Sequence, residues 1–323
     1  MGTKERLLGR TGGAMQRAIV TGAAGQDGSY MVELLLSRGV EVWAVFHKQA
    51  FNFAPNSNLH IVWGDITDRE FIFWLVGKYK PDLYFNFAAQ SHVGISFKLP
   101  RLTWDSIVKG TENGLDAIKK FVPGCRFYQA SSSEMFGDQP APQNLKTPFK
   151  PVSPYGEAKL RAHKLTEKAR KQGIFAVCGI LFNHESERRG HEFVTRKITR
   201  ALVRMKLKQQ ETLSLGYLQA KRDWGYAPDY VNEIYNLMVS RVSPDTYIIA
   251  TGLSYSVLDF LFCAANYLKL DLTDRIKFDA KEVRPREIHH LQGASRMCTS
   301  TPFNKLIARM IDNDLKELAL KGG

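Results

Sequence analysis

Cysteine is scarce in this chain of 323 residues, and its four copies are widely scattered. Cys125, Cys178, Cys263 and Cys298 form no C-x-x-C pair, so the sequence offers neither the ligand pattern of a structural zinc site nor a dithiol redox motif. We therefore expect no metal site. Isolated thiols are typical of a reducing compartment, and we expect a cytoplasmic protein with reduced cysteines.

The sequence has no uninterrupted apolar run that is long enough to span a bilayer, so we expect no membrane association. Its most apolar late stretch, residues 256–268, is short and contains Asp259 and Asn266, which favours a buried helix. Residues 1–14 lack the apolar core of a secretory signal, and we expect a disordered leader with Met15 as an alternative start. Internal repeats and low-complexity tracts are absent.

Acidic residues are outnumbered, because 45 lysines and arginines face 32 aspartates and glutamates and give a net charge of +13. A basic surface suits an anionic partner, which could be nucleic acid, a membrane surface or a phosphorylated small molecule. No zinc-finger, KH-type or RNP-type pattern is present, so charge alone does not favour nucleic acid, and we expect none. The hydrophobic fraction of 44% is sufficient for a large core.

The first half of the chain alternates short apolar runs with amphipathic segments, a pattern that predicts a parallel α/β sheet. The predicted strands cover residues 17–21, 40–45, 60–63, 83–88, 126–130 and 175–180. The predicted helices cover residues 30–37, 70–80 and 153–172. Ser153 and Pro154 suit the start of the last helix, and Gly173 suits its end. After residue 180 the rhythm changes, and residues 245–251 are predicted to return to the sheet.

A glycine-rich turn follows the first predicted strand and leads into a helix. Gly22, Gly25 and Gly28 would let the backbone approach a pyrophosphate, to which a helix N-terminus offers free N–H groups. Glycines alone could also mark a tight structural turn, but the order strand, turn and helix favours a dinucleotide site. We assign Gln26 and Asp27 of the same turn to that site.

An acid is missing where an NAD site would carry one, at the end of the second predicted strand. The strand ends in Val45-Phe46-His47-Lys48, which favours NADP with His47 or Lys48 near the 2′-phosphate. A solvated lysine in a loop is the alternative. Asp65 and Ile66 follow the third predicted strand and are candidates for the adenine side, although Asp65 could instead cap the turn.

Polar and small residues also follow the fourth predicted strand. The carboxyl ends of the strands form the ligand crevice of doubly wound sheets. We therefore assign Ala88 and Ala89 to the cofactor site, and Ser91 to both the cofactor and the substrate. His92 is expected to be structural.

Tyr155 and Lys159 are four residues apart on a predicted helix and therefore share a face. A nearby ammonium group is expected to lower the pKa of Tyr155, which would make it a base for a hydroxyl that is being oxidised. Ser132, after the fifth predicted strand, could bind the same substrate oxygen. Glu134 offers a second base, since oxidation of a sugar at C4 makes its C5 proton acidic. A carboxylate at a helix start is the alternative interpretation of Glu134.

Seven segments together resemble the GDP-mannose 4,6-dehydratase family of extended short-chain dehydrogenases. They are TGAAGQDGSY (21–30), AAQSHV (88–93), FYQASSSEMFG (127–137), SPYGEAK (153–159), GILFNHESERRG (179–190), FVTRKI (193–198) and KRDWGYAPDYV (221–231). The segments at 179–190 and 221–231 are far more specific than the glycine turn.

The resemblance implies a role for each matching residue. Ser132 stands where the family has a catalytic threonine, Glu134 matches its acid/base, Tyr155 its base and Lys159 its cofactor-ribose lysine. Cofactor contacts are implied for His184 and Arg189. Contacts to the GDP-sugar are implied for Asn183, Glu185, Lys197, Arg222 and Arg284.

The resemblance further implies an α/β fold, with a doubly wound parallel Rossmann sheet and a smaller interleaved C-terminal substrate-binding lobe. We assign residues 15–180 to an NADP-binding domain with returning segments near 221–251, and residues 181–323 mainly to the lobe. The implied reaction converts GDP-mannose into GDP-4-keto-6-deoxy-mannose with NADP, through oxidation at C4, elimination of water across C5 and C6, and hydride return to C6. A homo-oligomer, either dimer or tetramer, is expected.

Three alternatives to this reaction stay open. The substrate could be a related GDP-sugar such as a GDP-heptose. The enzyme could be a nucleotide-sugar 4-keto reductase or epimerase. The chain could also be a non-catalytic protein that senses NADP or binds nucleic acid.

Departures from the family pattern bear on assembly and on substrate choice. Residues 46–60 are shorter than the arginine-bearing loop that reaches a neighbouring subunit in many relatives, which argues against a tetramer built on that contact. Glu187 replaces a usual proline, and Leu102 replaces an aromatic residue near the cofactor. Residues 293–303 lack the usual family segment, so the sugar is the least determined part of the substrate.

Overall fold

The structure is a computed structural model, and it describes residues 16–240, 243–294 and 301–319. The predicted leader at 1–14 and Cys298 lie outside the described residues, as does the greater part of the atypical stretch 293–303.

Short strands and helices alternate along the chain. The strands are β1 (Arg17–Thr21), β2 (Glu41–Phe46), β3 (Leu59–Trp63), β4 (Leu83–Asn86), β5 (Arg126–Ser132), β6 (Ala176–Leu181), β7 (Asn183–Glu185), β8 (Leu213–Leu215), β9 (Lys221–Arg222), β10 (Trp224–Tyr226), β11 (Thr246–Ile249), β12 (Tyr255–Ser256), β13 (Ile276–Phe278) and β14 (His290–Leu291). The helices are α1 (Gln26–Ser37), α2 (Arg69–Tyr79), α3 (Val93–Lys98), α4 (Pro100–Trp104), α5 (Gly110–Phe121), α6 (Pro154–Lys171), α7 (Val194–Lys206), α8 (Ala227–Val239), α9 (Val257–Leu268) and α10 (Phe303–Ala319).

Seven strands form one parallel sheet in the order β11-β6-β5-β4-β1-β2-β3. The order reverses between β1 and β4, which is the point at which doubly wound sheets bind ligands. The predicted α/β fold with a doubly wound parallel sheet is therefore confirmed.

Both faces of the sheet are covered, as the continuous apolar runs of its strands predict. Helices α1 and α8 pack together on one face, around Met31, Leu35 and Ile234. Helices α2 and α5 pack together on the other face, around Leu75 and Ile118. Strands such as β4 and β6 are buried along their whole length.

A second apolar core lies in the later part of the chain, where α7, α9 and α10 pack against one another around residues such as Leu202, Phe260 and Met310. Between these segments, α8 and β11 return to the large sheet. This arrangement is consistent with an interleaved lobe, while the domain boundaries given above stay predictions.

Helix α10 is joined to α7 by buried charges. Asp314 is fully buried and lies 2.7 Å from the guanidinium of Arg196, which is 1% exposed. Arg200 lies 3.4 Å from the same carboxylate and 2.9 Å from Glu317. The carboxylates that neutralise these two arginines of α7 therefore come from the last described helix.

A buried polar network ties the centre of the sheet together. The Thr21 hydroxyl donates to Asn86 Oδ1 at 2.9 Å, and Asn86 Nδ2 donates to Gln129 Oε1 at 2.9 Å. Asn86 Nδ2 also donates to the Thr111 hydroxyl at 3.2 Å, which links three central strands to α5. All four side chains are buried, so each depends on the others for its hydrogen bonds.

Asn86→Ala should therefore lower the free energy of unfolding by about 3 kcal/mol, because it leaves buried partners without hydrogen bonds. Urea denaturation monitored by circular dichroism measures this change. Asn52→Ala, in an exposed loop, is the control and should stay within about 0.5 kcal/mol of the unchanged chain. Equal stabilities for the two variants would contradict the importance of the network.

Candidate active site

A cavity of about 620 Å³ opens at the carboxyl edge of the sheet. Its walls come from the ends of β5 and β6, from the first turns of α6 and α7, and from residues 281–287. It therefore lies between the large sheet and the later core, at the edge where the sequence predicts the ligand crevice.

The structure brings most of the predicted site residues together around this cavity. Those in its wall are Asp27, Ala89, Ser91, Ser132, Glu134, Tyr155, Lys159, Asn183, His184, Glu185, Arg189, Lys197, Arg222 and Arg284. Of the remaining candidates, Gly22, Gly25, Gln26, Gly28 and Ala88 lie around the end of β1, and His47, Lys48, Asp65 and Ile66 follow β2 and β3. These nine are not part of the cavity wall.

Local sequence explains where Tyr155 stands. The Ser153 hydroxyl accepts a hydrogen bond from the Gly156 amide at 3.0 Å and caps α6, whose first residue is Pro154. Tyr155 is therefore in the first turn, close to Ser132 at the end of β5. The Ser132 hydroxyl also accepts the amide of Glu134 at 3.2 Å, which fixes the short turn that carries this carboxylate.

The ionisation of the Tyr155 and Lys159 pair differs from the expectation. Burial raises the pKa of Tyr155 to about 12, although the nearby Ser132 hydroxyl opposes this change. Burial lowers the pKa of Lys159 to about 8. Lys159 Nζ donates to the Ala130 carbonyl at 2.8 Å and lies 5.7 Å from the centre of the Tyr155 ring. The expected lowering of the Tyr155 pKa is wrong for this arrangement, because desolvation outweighs the groups that favour the phenolate.

The glycine turn has the geometry of a close backbone approach. Gly22 has φ of +68°, and a Cβ there would lie 2.7 Å from the Ala88 amide nitrogen. A Cβ on Gly28 would overlap the Gly22 carbonyl oxygen. Helix α1 begins after Gly25 with no side-chain cap, so none of the side chains that the structure describes competes for its first amides. This turn fits the pyrophosphate of a dinucleotide.

Asp27 and His184 join the glycine turn to the segment after β6. His184 Nε2 lies 2.9 Å from Asp27 Oδ2, and its Nδ1 lies 2.7 Å from the Phe182 carbonyl. Burial disfavours the charged form of both side chains, but their mutual attraction is stronger. The pKa of Asp27 is therefore lowered and the pKa of His184 is raised. Gln26 Nε2 adds a bond to the His184 carbonyl at 3.0 Å. Sequence spacing could not reveal this pair, because 157 positions separate its members.

His47 and Asp65, two candidates for binding the adenosine part of the cofactor, lie near each other, and Asp65 already forms hydrogen bonds within the protein. His47 Nε2 lies 3.6 Å from Asp65 Oδ2 at the surface. The Thr67 amide and hydroxyl donate to Asp65 at 2.8 and 2.9 Å, and these bonds lower the pKa of Asp65 although desolvation opposes them. Asp65 therefore caps its turn, as the alternative interpretation expected.

Two predicted substrate residues are already engaged inside the protein. Glu185 is buried, accepts the Thr195 hydroxyl at 2.7 Å and lies 3.0 Å from Arg189 Nε. Arg222 is also buried and lies 3.0 Å from Glu287. Carboxylate partners thus hold Arg189 and Arg222 in place at the cavity wall.

Many residues of the cavity wall were not predicted from the sequence, and among them Thr195, Glu282 and Glu287 contact predicted site residues. Thr195 lies near the implied residue Lys197 along the chain, and the two glutamates flank Arg284. Their nearness in sequence to charged candidates was the one available signal.

In the part of the chain that the structure describes, no group of three or more His, Cys, Asp or Glu side chains could hold a metal ion. Over the same residues, none of the helices combines the length and the apolar character that crossing a membrane requires.

A family model described as GDP-mannose 4,6 dehydratase matches residues 19–301. The chain belongs to this family. It is 41% identical over 324 residues to GDP-mannose 4,6 dehydratase 2 of Arabidopsis thaliana, covering 93% of this chain and 87% of that protein. It is 38% identical over 351 residues to the GDP-mannose 4,6 dehydratase of Homo sapiens, covering 95% and 94%. The resemblance inferred from the sequence is confirmed.

Solved structures share the fold at lower identity. The UDP-glucose 4-epimerase of Thermus thermophilus, in complex with NAD, has a TM-score of 0.81 at 21% identity and covers 93% of this chain and 99% of that one. RMD from Pseudomonas aeruginosa, complexed with NADPH, has a TM-score of 0.77 at 20% identity and covers 94% and 100%.

Lys159→Met should stabilise the protein at neutral pH. Because folding lowers the pKa of Lys159 from 10.5 to about 8, the folded state opposes its charge. A difference of this size corresponds to a cost of about 3 kcal/mol, offset by about 1 kcal/mol from its hydrogen bond to Ala130. The cost is complete below pH 8 and disappears as the pH rises through 10.5, where Lys159 is neutral in both states.

Denaturation of Lys159→Met should therefore show a gain of about 2 kcal/mol at pH 7, and the gain should shrink between pH 8 and 10.5. Lys164→Met, on the exposed face of the same helix, is the matched control and should change little. A loss of stability in Lys159→Met at pH 7 would contradict the conclusion that burial, rather than favourable contacts, sets the pKa of Lys159.

Proposed function

We propose that the chain is a nicotinamide-dependent nucleotide-sugar 4,6-dehydratase that converts GDP-mannose into GDP-4-keto-6-deoxy-mannose and water. The observation that carries this proposal is the meeting of Tyr155, Ser132 and Glu134 in one cavity of a chain that belongs to the GDP-mannose 4,6-dehydratase family. Tyr155 and Ser132 suit the oxidation of a hydroxyl, and Glu134 adds the base that an elimination requires.

The glycine turn and the uncapped start of α1 support a dinucleotide cofactor, since they leave room and amide donors for a pyrophosphate. When bound, a nicotinamide dinucleotide supplies the acceptor for the C4 hydrogen and later returns that hydrogen to C6. Similar folds hold NAD in one structure and NADPH in another. We propose NADP, because β2 ends without an acid and is followed by His47 and Lys48.

Tyr155 takes the proton of the sugar O4 while the Ser132 hydroxyl binds the same oxygen. A phenol whose pKa is about 12 is protonated at neutral pH, so this step requires the positive groups of the cavity to favour the phenolate. Arg189 favours the phenolate and partly opposes the rise in the pKa of Tyr155 that burial causes. Lys159 contributes only while it is charged, and burial brings its pKa to about 8.

Glu134 performs the elimination once C4 is a ketone. Its carboxylate removes the acidified C5 proton and passes a proton to the departing C6 oxygen, which leaves as water. The hydrogen taken from C4 is then returned at C6. C5 regains one proton, which balances the proton that Tyr155 took from O4 and restores both side chains to their starting states. The overall reaction loses one water and consumes no reductant, so the cofactor can stay bound.

Cationic side chains across the cavity suit the two phosphates of a nucleotide sugar. Lys197, Arg222 and Arg284 all line its wall. Guanidinium groups bind phosphate through paired, charge-assisted hydrogen bonds. A homo-oligomeric assembly and a cytoplasmic location stay predictions from the sequence.

Incubation with GDP-mannose and NADP+ should produce a compound lighter by one water, identified by mass spectrometry without added reductant. Glu134→Gln should slow this loss by at least about 100-fold, because the amide cannot accept the C5 proton. Glu157→Gln, an exposed change on α6, is the matched control and should retain activity. Intact GDP-mannose after long incubation with the unchanged chain would refute the substrate, and intact GDP-hexoses and GDP-heptoses would refute the reaction class.

Lys48→Glu should weaken NADP+ binding by about tenfold and leave NAD+ binding nearly unchanged, since only NADP+ carries the 2′-phosphate. Titration calorimetry with both cofactors measures the ratio. Lys164→Glu makes the same charge change far from this turn and should alter neither affinity. Equal weakening for NAD+ and NADP+ would contradict the proposed position of the 2′-phosphate.

A further inference from the structure

Residues 279–287 carry alternating charges along one wall of the cavity; we call them the 279–287 segment. Asp279 accepts the Lys281 amide and caps the short turn Ala280–Glu282, which fixes the start of the segment. Glu282, Arg284 and Glu287 then face the cavity.

Each of these three residues forms an ion pair with a residue that the mechanism uses. Glu282 pairs with Lys197 through a short contact. Arg284 lies 3.3 Å from Glu134, and Glu287 lies 3.0 Å from Arg222. The segment therefore supplies a counter-ion to two candidate phosphate ligands and to the catalytic carboxylate.

The three ion pairs differ in how far their side chains are exposed to solvent. The side chains of Arg222 and Glu287 are 6% and 18% exposed, so breaking this pair would leave a buried charge without a partner. Those of Lys197 and Glu282 are 34% and 40% exposed. The third pair is mixed, because Arg284 is 33% exposed and Glu134 is 11% exposed. Ion pairs in contact with solvent contribute little and exchange partners readily. The first pair is therefore fixed, and the pair of Lys197 with Glu282 can open. In the third pair the solvent-accessible guanidinium of Arg284 can change partner, while Glu134 stays at the cavity wall.

We propose that Glu282 and Glu134 compete with the substrate diphosphate for Lys197 and Arg284, so that binding of the diphosphate releases Glu134 for its work as a base. This inference rests on the proposed function, because it concerns the same cavity and the same nucleotide sugar. It assigns to Glu282 a role in specificity.

A diphosphate suits this exchange better than a single anion. Its two phosphates can take both cations at once, whereas each carboxylate neutralises one. A phosphate also accepts paired bonds from a guanidinium, as a carboxylate does, so Arg284 loses nothing when it changes partner. A ligand without phosphates cannot draw Arg284 away and leaves Glu134 paired. Turnover is thereby tied to an occupied diphosphate site.

GDP is the probe for the test, because it has the diphosphate and lacks the sugar that Glu134 would contact. Titration calorimetry should show that Glu282→Gln and Glu134→Gln each bind GDP about two- to fivefold more tightly than the unchanged chain, which is the range expected when a cation in contact with solvent loses a competing carboxylate. Arg284→Gln should bind GDP about tenfold more weakly.

The double variant Glu134→Gln/Arg284→Gln identifies the route. If Glu134 acts by competing for Arg284, its removal should give no gain once Arg284 is absent, and the double variant should match Arg284→Gln. Asp116→Asn breaks the exposed pair with Arg69 far from the cavity and should leave the GDP affinity unchanged. Guanosine should bind all variants equally.

Unchanged or weaker GDP binding by both Glu282→Gln and Glu134→Gln would overturn the inference, as would a gain from Glu134→Gln that persists in the double variant. The proposed function fails separately. If the variants show the expected GDP affinities but the unchanged chain leaves GDP-mannose intact, the competition for Lys197 and Arg284 is supported and the assignment of GDP-mannose as substrate is refuted.

Discussion

The pairing of β5 with β6 is the constraint on which the site depends. Their parallel register sets Ser132 opposite Leu181, so both strands end at the same edge of the sheet. The residues that follow, Glu134 on one side and the 183–185 strand on the other, must emerge side by side. Strand β7 then pairs with β10, which places the segment after β6 next to the one that follows Arg222. Groups that are distant in sequence thus lie close together, because the pairing of β5 with β6 and of β7 with β10 fixes where the segments after these strands begin.

The cavity gathers charge at a cost to the fold. Burial opposes the charged form of Lys159, of Tyr155 and of Asp27, and only the last has a partner close enough to prevail. A chain selected for stability alone would fill these positions with apolar side chains. The protein keeps these ionisable groups at the end of the sheet. The apolar cores on both faces of the sheet offset the unfavourable free energy of burying them.

Much of this organisation could be predicted from the sequence. The apolar runs predicted all seven strands of the large sheet, because parallel strands are buried on both faces and therefore carry continuous apolar segments. Strand β5 extends to Ser132, beyond the predicted end at 130, since its two serines pair with β6. The start of α6 at Ser153-Pro154 was also predicted correctly, because serine caps a helix and proline fits its first position. What could not be predicted were contacts between distant residues, such as Asp27 with His184 or Glu134 with Arg284. The ionisation of Tyr155 was misjudged for a related reason: spacing shows which groups are neighbours, but the depth of burial decides their pKa.

The link between α10 and α7 gives the end of the described chain a significance beyond packing. Asp314 contributes nothing to the cavity wall, yet it anchors Arg196, the neighbour of Lys197. Trimming α10, or forcing it aside with a fused partner, would leave two buried arginines of α7 without their carboxylates and loosen the helix that carries Lys197, the proposed phosphate ligand. Changes to α10, the last helix that the structure describes, therefore act on the cavity through α7 even though none of its residues lines the cavity wall.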